Sequence, residues 1–186
     1  MGLLKIIRKL KKTEREMRIL MLGLDNAGKT TALLCFCGED TSEIPPTVGF
    51  NIKTVRVRQF KVNVWDVGGQ KSIRSFWRNY FDTTDGLVWV VDSTDRQRLS
   101  DCKRELSNLL IEERLRGSSL LILANKQDCP SALSVHEISS FLELDAVKTT
   151  RECGVFPCSA LDRASIQKGL DWIIEDIGSR MYSLRH

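Results

Sequence analysis

The chain has 186 residues, of which 42% are hydrophobic and 28% are charged, and its formal net charge is +4. This composition suits one globular domain with a substantial core. Seven Lys or Arg and two Glu lie in residues 1–18, so the basicity belongs to an N-terminal arm. No apolar run approaches the roughly 20 residues of a membrane-spanning helix, and Lys5, Arg8 and Lys9 interrupt the apolar start, unlike a secretory signal. We therefore expect a soluble, cytoplasmic protein.

The six cysteines do not follow a zinc-binding pattern. Cys35 and Cys37 are separated by one residue, and the two histidines, His136 and His186, lie far from them. Nothing in the sequence directs export, and thiols inside cells normally stay reduced. We predict free cysteines and no structural zinc.

The first predicted elements are a buried strand and an edge hairpin. Residues 18–22 form a short apolar run that ends at a glycine, and a helix should begin near Lys29. Residues 51–58 and 61–66 alternate apolar and polar side chains, with two residues between them. This spacing predicts the one antiparallel pair of strands, at the edge of the sheet.

The remaining chain alternates further strands with helices. Apolar runs occur at 86–91, 119–124 and 154–157, and helical periodicity occurs at 97–115 and 165–182. Such alternation predicts a doubly wound, mostly parallel α/β sheet. Ligands of these sheets bind beyond the carboxyl ends of the strands, and the motifs described below follow predicted strands.

A phosphate-binding loop follows the first strand. Residues 23–30 fit the pattern G-x-x-x-x-G-K-[ST] between a strand and a helix. Converging backbone N–H groups and the helix N-terminus suit phosphate, Lys29 should reach the β- and γ-phosphates, and Thr30 should bind Mg²⁺. A chance glycine-rich turn is the alternative. The predicted nucleotide-binding residues here are Gly23, Asp25, Asn26, Ala27, Gly28, Lys29, Thr30 and Thr31.

A second motif, Asn-Lys-Gln-Asp at residues 125–128, selects the base. The Asp128 carboxylate can accept hydrogen bonds from the ring N–H and the amine of guanine, a donor pair that adenine lacks. Asn125 could hold the base edge and the loop, and the stem of Lys126 could cover the ring. A later loop with Ser159 and Ala160 could present the Ala160 N–H to the guanine carbonyl. In isolation, this motif would be interpreted as a polar turn. Together with the phosphate loop, it favours a guanine-nucleotide-binding protein over a P-loop kinase or ATPase, which would bind adenine.

The two loops that flank the predicted hairpin contain residues suited to hydrolysis of the bound nucleotide. Asp66 can hold Mg²⁺ through water, the Gly69 N–H can meet the γ-phosphate, and Gln70 can orient the attacking water. Thr47, before the hairpin, could complete the Mg²⁺ shell. Loss of the γ-phosphate would then reorganise the surface between the loops. Because no arginine is evident for the transition state, we expect slow hydrolysis that a partner stimulates.

The motifs GLDNAGKT, PTVGFN, WDVGGQ, NKQD and CSA occur in this order. Through them, nearly the whole chain resembles the Arf family of Ras-like small GTPases. Within the family, the segments MGLLKIIRKL and RELSNLLIEERL resemble the branch of Arf-like proteins two and three, and are nearer to two. The resemblance implies a small GTPase fold that binds GTP or GDP with Mg²⁺. Phe50, Trp65 and Tyr80 match the family's aromatic triad, which implies a hairpin that slides between nucleotide states.

We divide the chain into an arm, residues 1–17, and a GTPase domain, residues 18–186. Leu3, Ile6 and Leu10 have helical spacing, with lysines on another face, which predicts a basic amphipathic helix. The resemblance implies that this helix docks into a helical effector, with weak membrane association as the second choice. Ile6 breaks the myristoylation pattern that Gly2 would begin.

The resemblance also implies a set of partners and cellular roles. The partners are an exchange factor, a GTPase-activating protein, prenyl-binding carrier proteins and tubulin-folding cofactor D. The roles are microtubule biogenesis and the release of lipidated cargo, with cytoskeletal, centrosomal or mitochondrial pools beside the cytoplasm. No nucleic-acid polymer is expected as a partner. The alternative function is a GTP-gated binding module that switches by nucleotide exchange with little hydrolysis.

Overall fold

The computed structural model describes residues 16–183, and the predicted N-terminal helix lies outside this range. Within it, the strands are β1 (Glu16–Leu22), β2 (Phe50–Val57), β3 (Phe60–Val67), β4 (Gly86–Asp92), β5 (Ser119–Asn125) and β6 (Cys153–Pro157). These six strands form one sheet in the order β2-β3-β1-β4-β5-β6. β2 and β3 pair antiparallel, and the other neighbouring strands pair parallel. The predicted sheet with one antiparallel edge hairpin is therefore confirmed.

Helices cover both faces of this sheet. The α-helices are α1 (Lys29–Cys37), α2 (Leu99–Leu110), α3 (Val135–Phe141), α4 (Leu144–Lys148) and α5 (Arg163–Ser183), and 3₁₀ helices span Lys71–Tyr80 and Glu113–Leu115. We refer to Lys71–Tyr80 as the 71–80 helix. Inside the described range, none of these helices has both the length and the apolar character that crossing a bilayer requires.

The helix predicted at residues 97–115 is confirmed over most of its length, but it is too long at the carboxyl end, because α2 ends at Leu110 and only the 3₁₀ helix Glu113–Leu115 follows within the predicted range. Arg151 donates hydrogen bonds to the Leu110 and Leu115 carbonyls, at 3.1 and 3.4 Å, and so satisfies carbonyl groups where the helix stops. Three helices, α3, α4 and the 71–80 helix, were not predicted from the sequence. A signal for α3 was present, since Ser134 and Glu137 form a capping box at its start.

The two faces of the sheet bury separate cores, as a doubly wound fold requires. On β1, Met17, Ile19 and Met21 pack in the core covered by α1 and α5. Leu20 and Leu22 point to the opposite core, which α2, α3, α4 and the 71–80 helix complete. Alternate residues of a strand point to opposite faces, so a run buried on both sides reads as continuously apolar.

The carboxyl ends of the parallel strands meet at one edge of the sheet. β1 leads directly into the phosphate loop, and Asp66 near the end of β3 lies beside Met21 of β1. Asp92, the last residue of β4, lies beside Asn125, the last residue of β5. This edge therefore brings together residues that are far apart in the sequence.

Candidate nucleotide-binding site

The phosphate loop curls tightly because two of its residues adopt left-handed backbone conformations. Asn26 has φ of 63° and Gly28 has φ of 89°. A Cβ at Gly28 would lie 2.4 Å from Asn125 Nδ2, so this position requires glycine. The loop borders a cavity of about 430 Å³. Nine of the residues that line this cavity are predicted nucleotide-binding or catalytic residues. They are Asp25, Asn26, Gly28, Lys29, Thr30, Thr31, Thr47, Gly69 and Gln70, and the other lining residues are Ile44, Pro45, Pro46 and Gly68.

Lys29 lies inside the curve of this loop. Its Nζ donates to the Gly23 and Leu24 carbonyls, at 3.1 and 2.8 Å, and the residue is 6% exposed. Burial lowers the pKa of Lys29 to about 8, although the charges of Asp66 and Asp25 oppose this effect. A cation that is poorly solvated and faces backbone carbonyls is suited to bind phosphate, which restores its lost electrostatic stabilisation.

Thr30, Thr47 and Asp66 bring oxygen atoms together beside the cavity. Thr30 Oγ1 donates to Asp66 Oδ2 at 2.6 Å and lies 2.7 Å from Thr47 Oγ1. Asp66 is fully buried, and burial raises its pKa although hydrogen bonding from Thr30 and the charge of Lys29 lower it. Among the described residues, Asp66 Oδ1 has no hydrogen-bond partner. This all-oxygen set, with one oxygen unused, fits Mg²⁺.

Gln70 joins the two loops that flank the hairpin. Its Nε2 donates to the Thr47 carbonyl at 3.2 Å. Its Oε1 is buried and, within residues 16–183, has no partner. Gln70 is among the residues that line the cavity. A buried acceptor of this kind can accept a hydrogen bond from water.

Asn125 links the base loops to the phosphate loop. It is fully buried; its Nδ2 donates to the Ala27 carbonyl and its Oδ1 accepts from the Ala160 N–H, both at 2.8 Å. The predicted role of Asn125 in holding the loop agrees with this geometry. The Ala160 N–H that we expected to face guanine is engaged by Asn125, so a contact with the base must share or exchange that hydrogen bond.

The charged residues of the base loops are oriented by two neighbours: Asp92, which was not predicted from the sequence, and Ser159, which was. Lys126 Nζ lies 2.6 Å from Asp92 Oδ2, which fixes the lysine stem at the sheet edge. The side chain of Ser159 hydrogen-bonds Asp128 and lowers the pKa of its carboxyl. Asp128 therefore remains ionised and able to accept from the guanine edge. The signal for Asp92 was its position directly after the apolar run of β4.

This geometry agrees with what known proteins show. The chain matches the ADP-ribosylation factor family, Arf, over residues 3–177. The chain belongs to the Arf family. It is 61% identical to ADP-ribosylation factor-like protein 2 of Arabidopsis thaliana, over 99% of this chain and 100% of that protein. It is 55% identical to the Drosophila melanogaster protein of the same name, over the same shares of both chains. The resemblance to Arf-like protein two is thus confirmed.

A solved structure extends the comparison to a bound nucleotide. The small GTPase Arl6 BBS3 of Trypanosoma brucei, solved with the nucleotide analogue GppNp, is 30% identical. The two structures superpose with a TM-score of 0.81, over 88% of this chain and 98% of that one. The predicted small GTPase fold is confirmed. This Arf-family protein is a GTPase that binds GTP or GDP with Mg²⁺.

The cysteines of this Arf-family GTPase are all within the described residues and are unpaired. Cys129 and Cys158 adjoin the base loops. Burial raises the pKa of Cys158 to about 12, and the pKa of Cys129 is raised too, by desolvation and by the Asp128 charge. Thiols with raised pKa form little of the reactive thiolate at neutral pH. The electrostatics thus give no support to a redox function for either residue.

Proposed function

We propose that this protein is a GTP-timed switch in which Gln70 directs hydrolysis and an activating partner accelerates it. The observation that carries the proposal is the hydrogen bond from Gln70 Nε2 to the Thr47 carbonyl. This contact joins the two loops at the mouth of the cavity that the phosphate loop borders. A γ-phosphate held there would touch both loops, so its loss would release both.

The catalytic arrangement assigns a separate task to each residue. Lys29 and the backbone of the phosphate loop bind the phosphates, and Gln70 Oε1 accepts a hydrogen bond from the attacking water and orients it. Asp66, Thr30 and Thr47 would hold Mg²⁺, which supplies charge neutralisation on the phosphates when bound. Within the described residues, no three His, Cys, Asp or Glu side chains form a metal site. The remaining ligands would be water molecules and phosphate oxygens of the nucleotide.

The surface beside these loops is suited to report the nucleotide state. Val48 is 91% exposed, and Phe50 is 45% exposed although its ring stacks on Trp65 at 5.4 Å. Tyr80 completes the triad at 5.3 Å from Phe50. An aromatic cluster that is exposed at Phe50 and lies next to two nucleotide-dependent loops is a suitable binding surface for effectors. Arf-family GTPases interact with effectors, activating proteins and exchange factors.

For the cellular role, we infer that the protein acts in tubulin folding and microtubule biogenesis and releases lipidated cargo from carriers. The support is the similarity to proteins named ADP-ribosylation factor-like protein 2, together with the amphipathic pattern at the N-terminus. The proposed partners are a helical effector of the N-terminal segment, prenyl-binding carriers and tubulin-folding cofactor D. The proposed location is the cytoplasm, with weak membrane association.

Affinity capture with the nucleotide state controlled tests the switch. We would compare full-length protein loaded with a non-hydrolysable GTP analogue, the same protein loaded with GDP, and a truncated protein that lacks residues 1–12. Effectors should be retained by the analogue-loaded protein and lost with GDP. Effectors that bind the predicted N-terminal helix should also be lost when residues 1–12 are removed. Equal retention with both nucleotides would contradict the proposal.

Single-turnover hydrolysis separates the timer from the alternative module that switches by exchange. A timer should hydrolyse bound GTP faster when an activating protein is added. If hydrolysis stays slower than GDP release under all conditions, the protein switches by exchange and the timer is rejected.

A further inference from the structure

Arg74, in the 71–80 helix, touches three elements of the site although its side chain is only 10% exposed. Its Nε donates to the Gly69 carbonyl at 2.8 Å. Its two terminal nitrogens contact Asp25 Oδ1 at 3.3 Å and Glu105 Oε1 at 3.2 Å. One guanidinium thus connects the loop before Gln70, the phosphate loop and α2.

The residues joined by Arg74 are also in direct backbone contact. A Cβ at Gly69 would lie 2.3 Å from the Gly23 carbonyl oxygen and 2.5 Å from the Asp25 nitrogen. Gly69 therefore packs against the phosphate loop with no room for a side chain. Arg74 bridges this same contact, because its Nε binds the Gly69 carbonyl and its Nη2 binds the Asp25 carboxylate.

The Gly69 carbonyl belongs to the peptide unit that contains the Gln70 N–H. Because a peptide unit is planar, fixing this carbonyl also fixes the orientation of the Gln70 backbone. The direction in which the Gln70 side chain leaves the backbone then depends on Arg74. A displacement of about 1 Å in a reacting group can cost about 100-fold in rate.

Asp25 is shared by two arginines with different connections. Arg98 Nη1 contacts Asp25 Oδ2 at 3.0 Å, and Arg98 Nη2 contacts the Asp25 carbonyl at 3.2 Å. Arg98 thus holds the phosphate loop to the start of α2, whereas Arg74 also reaches the loop of Gln70. Together they balance a carboxylate that lies beside the phosphate cavity, where an unpaired negative charge would repel nucleotide.

We propose that Arg74 is a positioning residue for hydrolysis, which holds the Gly69–Gln70 peptide against the phosphate loop by bridging the Gly69 carbonyl and the Asp25 carboxylate. This inference rests on the proposed role of Gln70. It assigns Arg74 no contact with the nucleotide. Removing it should slow hydrolysis, and nucleotide affinity should stay nearly unchanged because Arg98 still pairs with the Asp25 carboxylate.

The first experiment measures single-turnover hydrolysis on full-length protein loaded with Mg·GTP. Arg74→Ala should lower the rate about 10- to 100-fold, with the Kd for a non-hydrolysable analogue within about threefold of wild type, since Arg74 does not bind nucleotide. Arg74→Lys should have an intermediate rate, because an ammonium lacks the fork that reaches both partners. Arg74→Lys also carries the test if the alanine variant does not fold. A rate within twofold of wild type in both variants overturns the inference.

A matched control comes from the same surface. Arg104 on α2 pairs with Asp101 and Glu105 and is 56% exposed, but it does not touch the phosphate loop. Arg104→Ala should therefore hydrolyse GTP at the wild-type rate. If Arg104→Ala slows hydrolysis as much as Arg74→Ala, general loss of positive charge explains the effect and the inference is wrong.

A double-mutant cycle with Gln70→Leu separates positioning from a merely structural role. If Arg74 acts through Gln70, the double variant should be no slower than Gln70→Leu alone. Multiplied effects would mean that Arg74 acts independently of Gln70, and the inference fails. If Gln70→Leu hydrolyses GTP at the normal rate, the proposed catalytic role of Gln70 is wrong, and the inference about Arg74 that rests on it is wrong as well. If Gln70→Leu is slow but Arg74→Ala is normal, only the inference about Arg74 fails.

Discussion

The base side and the phosphate side of the site are built differently. On the base side, both ends of the Asn125 amide are bonded to protein and Lys126 is paired with Asp92. On the phosphate side, Asp66 Oδ1 and Gln70 Oε1 lack partners within the part of the chain described. Base recognition is therefore preassembled, whereas the hydrolytic side keeps polar atoms for groups that arrive with the nucleotide.

The strongest test of the base side is Asp128→Ala. Loss of this carboxylate removes two hydrogen bonds to guanine, so GTP affinity should fall by about 3 kcal/mol, or more than 100-fold. The wild type should also prefer GTP to ITP, which lacks the exocyclic amine, and the variant should not. Competition against a fluorescent guanine nucleotide measures both. Asp145→Ala is the control, since that carboxylate is 97% exposed and pairs with Lys148; retained preference in Asp128→Ala would contradict the role.

The corresponding test of the phosphate side is Gln70→Leu. The leucine cannot orient water, so hydrolysis stimulated by an activating protein should fall about 100-fold. GTP binding should change by less than about threefold, because Gln70 is not a main binding group. Rapid-quench measurements on preloaded protein give the rate. Normal stimulated turnover would refute the assignment.

A smaller effect should follow from Thr30→Asn. The amide cannot reproduce the hydroxyl that we assign to Mg²⁺, so GTP affinity in the presence of Mg²⁺ should fall about tenfold. Titrations repeated in EDTA provide the control, since the variant and the wild type should then differ little. An affinity that is unchanged in Mg²⁺ would count against the metal role of Thr30.

The smallest effect should come from the titration of Lys29, whose pKa is lowered to about 8 by burial. Phosphate binds the protonated form, and the free protein loses this proton as the pH rises through 8. Affinity for GDP should therefore fall about threefold between pH 7.5 and 8.5. Calorimetry in buffers of different ionisation enthalpy should show proton uptake on binding. An affinity that is constant over this range would contradict the lowered pKa.

The comparison also explains what could be predicted from the sequence. The base and phosphate motifs have fixed local spacing, so Asn125, Asp128 and Lys29 could be predicted as site residues from the sequence alone. Asp92 and Arg74 were not, because they act through contacts with residues far along the chain. The end of α2 was missed for the same reason, since Arg151 lies 41 residues from Leu110. Periodicity reports local structure, whereas such contacts depend on the tertiary fold.

The single carboxylate at Asp66 has a thermodynamic consequence. Because Asp66 is the one carboxylate that we assign to Mg²⁺, the metal should bind weakly to the protein when no nucleotide is present. By linkage, the factor by which Mg²⁺ raises the affinity for GTP equals the factor by which GTP raises the affinity for Mg²⁺. A partner that displaces either one therefore weakens the hold on the other. An exchange factor could thus eject the nucleotide by acting on the metal site alone, without touching the guanine loops.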